Sequence, residues 1–285
     1  YFKDKNEERI AAATIASGFL LALNPSVLDN AAGVYTALNA IVPIDREDFM
    51  ERADLTDDPY EEVAHHLTEE QAAAIEALEL PGVRVYKERW RLYPGDSLAA
   101  HLLGFVGSDG ETQAGQYGLE RYYERTLARQ ADAMYVNFFA EVFSNMKDVI
   151  DATEGEGNGD IITTIEPTVQ ATLEEGLGHI RERWNPKSAG GIIIDPVTGD
   201  IFALGAIPTF DPNTFGDEES SAVFTNPLVE DVYEMGSIMK PLTIAAGLDA
   251  GVIAPSTTYN DLGYVKADGY TIYNYDKKGR GVVDI

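Results

Sequence analysis

Ser237 and Lys240 stand three residues apart in Glu234-Met235-Gly236-Ser237-Ile238-Met239-Lys240-Pro241, ahead of the run Leu242-Thr243-Ile244-Ala245-Ala246-Gly247-Leu248. On a helix this spacing puts hydroxyl and amine on one face, one turn apart, so the amine can accept the hydroxyl's proton. A serine becomes an effective nucleophile only when a neighbouring base removes that proton. Lysine can be the base once burial and nearby positive charge lower its pKa from about 10.4 to roughly 7–8, a change of about 4 kcal/mol. At a helix N-terminus the serine also offers an unpaired N–H and the positive end of the macrodipole to a developing oxyanion. The pair is a candidate acylation site.

Spacing alone does not decide it. A second copy, Ser144-Asn145-Met146-Lys147, has no glycine before the serine and no helix of small residues after it, and it reads as coincidence. Around Ser237, Gly236 allows a tight turn into the helix, Pro241 is tolerated in a first turn, and Gly251 supplies a stop. An ordinary buried helix with a capping serine fits these residues equally well.

The elements that must position the pair fall into two parts. Residues 1 to about 152 mix short strands (Leu20–Leu23, Val83–Tyr86) with amphipathic helices over Ser26–Ile41, Glu61–Leu67 and Thr68–Leu78. Thr68-Glu69-Glu70-Gln71 reads as a capping box. Thr153-Glu154-Gly155-Glu156-Gly157-Asn158-Gly159 breaks the pattern as a linker. From Asp160 the order is strand, helix (Pro167–Trp184), strand, turn, strand, loop and the Ser237 helix. This is an α+β pattern with helices packed on an antiparallel sheet, divided as 1–152, 153–159 and 160–285.

The segment around Ser237 resembles the active-site helix of penicillin-binding proteins, E-P-G-S-x-x-K-P, with Met235 in place of the proline. Upstream, Ala189 to Leu204 is similar to the family's first hairpin, two apolar strands joined by an Asp-Pro-x-Thr-Gly turn. Pro208-Thr209-Phe210-Asp211-Pro212-Asn213 resembles P-x-F-D-P-N, and Thr164 to Gln170 resembles T-I-D-x-x-x-Q, with Glu166 for aspartate. The N-terminal part resembles the pedestal of the monofunctional class B enzymes. Asp4-Lys5-Asn6 looks like D-R-N, with Glu7 where glycine is usual, and Leu23-Asn24-Pro25 like the later N-P element. Leu80-Pro81-Gly82-Val83, Arg91-Leu92-Tyr93-Pro94, Ala99 to Gly107 and Gly118-Leu119-Glu120 then match L-P-G-V, R-x-Y-P, A-x-H-x-x-G-F-V-G and G-x-E in order.

The resemblance implies a pedestal followed by the first part of a transpeptidase domain. It implies a peptidoglycan D,D-transpeptidase with Ser237 as nucleophile and Lys240 as base, taking D-Ala-D-Ala stem peptides, bound covalently by β-lactams, and working beside a membrane glycan polymerase. It also implies an N-terminal membrane anchor ahead of Tyr1 and a location on the extracytoplasmic face. Of the three motifs used by penicillin-recognising enzymes, S-x-x-K is present, while S-x-N and K-T-G do not follow; Ile272-Tyr273-Asn274-Tyr275-Asp276 resembles the stretch before the S-x-N helix. The sequence therefore reads as a C-terminally truncated chain, inactive by itself, with an under-packed region from about residue 160. Two other readings share its features: a β-lactam-sensing or β-lactam-hydrolysing relative, and a non-catalytic scaffold binding cell-wall partners through residues 1–150.

Composition sets limits. The 285 residues allow about two domains, and 45% hydrophobic residues suffice for real cores. With no cysteine there is neither a disulfide framework nor a thiolate metal site, and the redox compartment stays open. His65, His66, His101 and His179 show no ligand spacing and read as surface or packing residues, so neither metal nor cofactor is expected. A net charge of −27 argues against nucleic acid and anionic membrane surfaces as partners, because both are polyanionic. The acidic residues are spread along the chain, which fits a solvated surface or a high-salt habitat. The longest apolar stretch, Ala11 to Leu23, is interrupted by Thr14, Ser17 and Gly18, falls short of the about 17–25 residues of a membrane span, and reads as strand.

Overall fold

The computed structural model describes residues 1–109, 112–127 and 159–285. The Ser144–Lys147 segment and, apart from Gly159, the Thr153–Gly159 linker lie outside the described residues. The architecture is α+β, and the chain divides into two compact units, Tyr1–Glu230 and Asp231–Ile285.

The first unit begins with a short antiparallel pair, β1 (Phe2–Lys3) and β2 (Arg9–Ile10). The turn between them is built on Asp4, whose Oδ1 accepts from the N–H groups of Asn6 (2.8 Å) and Glu8 (2.7 Å). Glu7 takes a left-handed φ of 66° at the place where the related motif has glycine. A three-stranded antiparallel sheet follows, in the order β4 (Glu61–Leu67), β3 (Thr14–Leu23), β5 (Val83–Leu92). Pairing between β3 and β5 is continuous over ten residue pairs, Thr14↔Leu92 to Leu23↔Val83. Leu21, Leu23 and Val83 enter one core with Val34 and Leu38 of α1 (Ala31–Asn39), Phe49 and Ala53 of α2 (Arg46–Ala53), and Ile75 of α3 (Glu69–Glu76). Thr68 caps α3 with the full capping box: its side chain accepts from the Gln71 N–H, and the Gln71 side chain accepts from its N–H.

Three sequence expectations need correction. Glu61–Leu67 is a strand, not a helix. Its apolar residues at 63, 64 and 67 follow helical spacing because His65 and His66 bulge between Ala64 and Leu67 and break the two-residue alternation. Ser26–Ile41 is not one helix: a 3₁₀ turn over Pro25–Val27 is followed by α1, each started by its own asparagine, Asn24 and Asn30, accepting a backbone N–H. Residues 160–166 join no ladder; they are held by isolated bonds such as Lys3 N–H to the Ile165 carbonyl (3.0 Å).

The second core of the unit brings distant segments together. Phe2, Ala12, Tyr93, Leu103 and Phe105 pack with Ile165, Phe210 and Phe224. Phe105 lies at its centre, stacked on Phe215 (4.1 Å between centroids) and edge-on to Phe224 (4.8 Å). β6 (Val106–Asp109) and β7 (Thr112–Gly115) form a short antiparallel pair after Phe105, and the helix Pro167–Trp184 packs on a hairpin of β8 (Ala189–Ile194) and β9 (Ile201–Ile207). β9 is buried from Ala203 to Ile207, while Ile192, Ile193 and Ile194 of β8 are exposed. Residues 160–230 are thus packed through Ile165, Leu177, β9, Phe210 and Phe224, while the apolar residues of β8 lie open as the under-packing expectation has it.

The second unit holds the helix Met239–Asp249 and two hairpin pairs, β10 (Thr258–Asp261) with β13 (Gly281–Asp284), and β11 (Tyr264–Ala267) with β12 (Tyr270–Tyr273). Among the described residues, no helix is long and apolar enough to cross a membrane.

Candidate active site

Gly236, with φ +57°, turns the chain into a single 3₁₀ turn, Gly236–Ile238, and the α-helix starts at Met239. Ser237 therefore sits in the turn that leads into the helix, and Lys240 in the first turn of the helix. Among the described residues the Ser237 side chain makes no capping hydrogen bond, so the capping-serine reading of this position fails. Pro241 falls where backbone N–H groups have no intrahelical partner. Gly251 (φ +67°) ends the helix, with its N–H on the Leu248 carbonyl (3.1 Å). Ser237 and Lys240 are both exposed, and among the described residues no hydrogen bond joins them. The sequence spacing has placed them on neighbouring turns; the burial that a lysine base requires is not present around Lys240.

The other motif residues form the framework of the first unit. Asn213, from the P-x-F-D-P-N stretch, pairs its amide with the backbone of Tyr93, from R-x-Y-P: Tyr93 N–H donates to Oδ1 (2.9 Å) and Nδ2 donates to the Tyr93 carbonyl (3.0 Å). Gln170 does the same for Leu204 of β9, accepting its N–H at 2.9 Å and donating to its carbonyl at 2.8 Å. Each amide mimics a strand neighbour, so both backbone groups stay satisfied inside the protein. Glu166 caps the Pro167 helix by accepting the Val169 N–H at 2.7 Å, the role that the shorter aspartate of the motif can fill. His101 is buried and donates from Nε2 to the Val223 carbonyl at 3.0 Å. Burial holds its pKa below the usual histidine value, opposed by that hydrogen bond and by Glu230.

Glu120 is also buried, with Arg91 Nε donating to Oε1 at 2.7 Å and the Tyr93 hydroxyl at 3.4 Å. Burial raises its carboxyl above the ordinary range, and Arg91 opposes the rise. One residue of this framework escaped the sequence reading: Glu174 accepts the N–H of Ala99 (2.8 Å) and the side-chain amide of Gln170 (2.6 Å), tying the helix to the segment around His101. Its position four residues after Gln170, on the same helix face, was the available signal. In the second unit Asn274 donates to both carboxylate oxygens of Asp261 (3.0 and 2.9 Å), which also accepts the Gly263 N–H at 2.8 Å. Among the described residues there is no cluster of side chains able to hold a metal ion.

The described parts are thus a three-stranded sheet with its helices, a hairpin with the helix that packs on it, and a Gly-Ser-x-x-Lys helix start. A family model described as Penicillin-binding Protein dimerisation domain matches residues 3–158, and one described as Penicillin binding protein transpeptidase domain matches residues 189–285. The chain is 33% identical to the probable peptidoglycan D,D-transpeptidase FtsI of Caulobacter vibrioides over 73% of its own length and 31% of that protein's. It is 30% identical to the peptidoglycan D,D-transpeptidase MrdA of Escherichia coli K12, over 94% of the chain and 49% of that protein. It is 28% identical to the stage V sporulation protein D of Bacillus subtilis, over 76% of the chain and 33% of that protein. The chain belongs to the class B penicillin-binding proteins. It spans between about a third and a half of the length of these relatives.

Proposed function

We propose that this penicillin-binding protein is a peptidoglycan D,D-transpeptidase that works through an acyl-serine intermediate. The observation that carries the reading is Gly236-Ser237-x-x-Lys240 at a helix start, inside the region matched by the transpeptidase model. Neutral Lys240 takes the Ser237 proton as Oγ bonds to the penultimate D-Ala carbonyl carbon. The bond to the terminal D-Ala breaks, and that amino acid leaves with the proton. The amine of a second stem peptide then attacks the ester, restores Ser237 and completes the cross-link. A β-lactam carbonyl would be attacked in the same way.

On this reading the region 1–152 serves as pedestal and 160–285 as the first part of the catalytic domain, with the linker between. The exposed apolar surface of β8 and of the Ser237 helix supports a domain completed by further residues carrying S-x-N and K-T-G, which would bury Lys240 and complete the oxyanion hole. The 285-residue chain alone should then not turn over substrate. The reaction belongs outside the cytoplasmic membrane, where the polymer lies, and a glycan polymerase is the fitting partner because it supplies the strands to be joined.

The test is acylation by a fluorescent penicillin in a protein extended through both remaining motifs. Ser237→Ala should abolish labelling, and Lys240→Arg, which keeps charge and stays protonated, should slow it by at least about 100-fold. Near-normal acylation of Lys240→Arg would assign proton transfer to another group.

A further inference from the structure

The bulge in β4 reaches across the central strand of the pedestal sheet. Phe19 pairs with Leu67 and Leu21 with Ala64, so His65 and His66 together oppose Leu20, and His66 takes a left-handed φ of 60°. On the other side of β3, Gly18 pairs with Glu88 and Ala16 with Trp90 of β5. A methyl group at Gly18 would lie 2.8 Å from the Leu67 carbonyl oxygen and 3.0 Å from the Trp90 ring. The glycine thus leaves room for the two outer strands to meet over β3. The His66 ring stacks on the Trp90 indole, 3.9 Å between centroids, and the His66 N–H donates to Glu88 Oε1. His65 Nδ1 lies 3.1 Å from Glu88 Oε2, and its Nε2 lies 3.4 Å from Glu62 Oε2.

The charged and titratable groups around His65 are Glu62 and His66 on β4, Glu88 on β5 and Arg52 on α2; the Tyr60 hydroxyl donates to Glu62 at 2.9 Å. An imidazolium donates from both ring nitrogens and can serve both carboxylates at once, whereas a neutral ring has one N–H and must abandon one of them. We propose that His65 is the proton sensor of a clasp that locks the β4 bulge onto β5 across Gly18, and that loss of one ring proton releases the bulge and uncovers the Trp90 indole. This device is independent of the acylation chemistry.

The sign follows from the surroundings. The Glu88 hydrogen bond, more than the opposing burial, holds His65 above the ordinary 6.5, so the clasp's contribution is complete below 6.5 and is lost as pH rises through the raised value. Burial holds His66, the stacking partner of Trp90, below the ordinary 6.5, so its ring gives up its proton at lower pH than that of His65.

The chain has two tryptophans, so Trp184→Phe isolates the Trp90 fluorescence. In that background, Trp90 emission and the His65 ring resonances are followed together by pH titration. Both should share one midpoint above 6.5, and the amides of Ala64–Leu67, corrected for intrinsic exchange, should lose about tenfold protection above it. Glu88→Gln should lower the midpoint; if that variant does not fold, Glu62→Gln, at the exposed side of the clasp, should lower it as well. A Trp90 signal that stays flat while His65 titrates, or a midpoint unmoved by the carboxamide variants, would overturn the proposal.

Discussion

The two compact units differ in what holds them together. The described residues of Tyr1–Glu230 form two apolar cores, one under the three-stranded sheet and one around Phe105. In Asp231–Ile285, Gly263 is the only buried residue, and Ile238, Leu242 and Val252 are 61%, 61% and 76% exposed. Its order rests on local hydrogen bonds, such as the Asp261–Asn274 pairing, and on two-stranded hairpins, which are marginal in water by themselves. The family's motifs show the same contrast. Those in the first unit are framework: Asn213, Gln170, Glu120 and His101 satisfy buried backbone or charge. Ser237 and Lys240 lie at the start of a helix whose apolar residues are exposed. The framework is folded by its own burial, while the helix Met239–Asp249 has no buried residue.

The contrast is sharpest in paired core and surface truncations. Phe105→Ala should cost about 3–5 kcal/mol in denaturant unfolding, because the ring contacts of the second core are lost and a cavity is left. Leu242→Ala, the same kind of change on an exposed helix, should stay within about 0.5 kcal/mol. Equal costs would mean that the second unit has a core of its own.

Acid should act on the framework through His101. Its folded pKa lies below 6.5, so the unfolded chain binds the extra proton first, and stability falls as pH drops below 6.5 toward the folded value. Glu120 and Glu174, raised by burial, act in the opposite sense at and above their ordinary 4.5, and His65 also opposes. The difference between the wild type and His101→Gln, which can keep a donor toward Val223, isolates the effect: the variant should lose less stability on going from neutral to mildly acid pH. Parallel pH profiles would show that His101 is not the responsible group.

The smallest effect tests a local feature. Glu7 adopts a conformation that glycine reaches without penalty, and its exposed pair with Lys3 contributes little. Glu7→Gly should raise stability by up to about 1 kcal/mol, read as a shift of the unfolding midpoint. A loss of stability would place the Lys3 pair above the backbone strain.

Features written in local chemistry were legible in the sequence. Thr68 to Gln71 specifies its capping box, Pro167–Trp184 has a cap and a breaker at its ends, and the Asp195-Pro196 turn closes a hairpin of apolar strands. The Ser237–Lys240 spacing was legible for the same reason. What depended on partners far along the chain was not. Glu61–Leu67 becomes a strand because β3 lies beside it, and its bulge disguises the alternation. The helix Arg46–Ala53 went unnamed although Asp45 caps it and Phe49 and Ala53 share its buried face. The joining of residues 93–105 to 165–224 in one core had no counterpart in any local pattern.

The central claim, that the open helix carries the nucleophile, is tested most directly by locating the acyl group. A protein extended to the length of its relatives is treated with penicillin, digested and mapped by mass spectrometry. One adduct is expected, on the peptide containing Ser237, and none on the peptide containing Ser144. An adduct on any other serine, or a stable adduct that persists in Ser237→Ala, would contradict it.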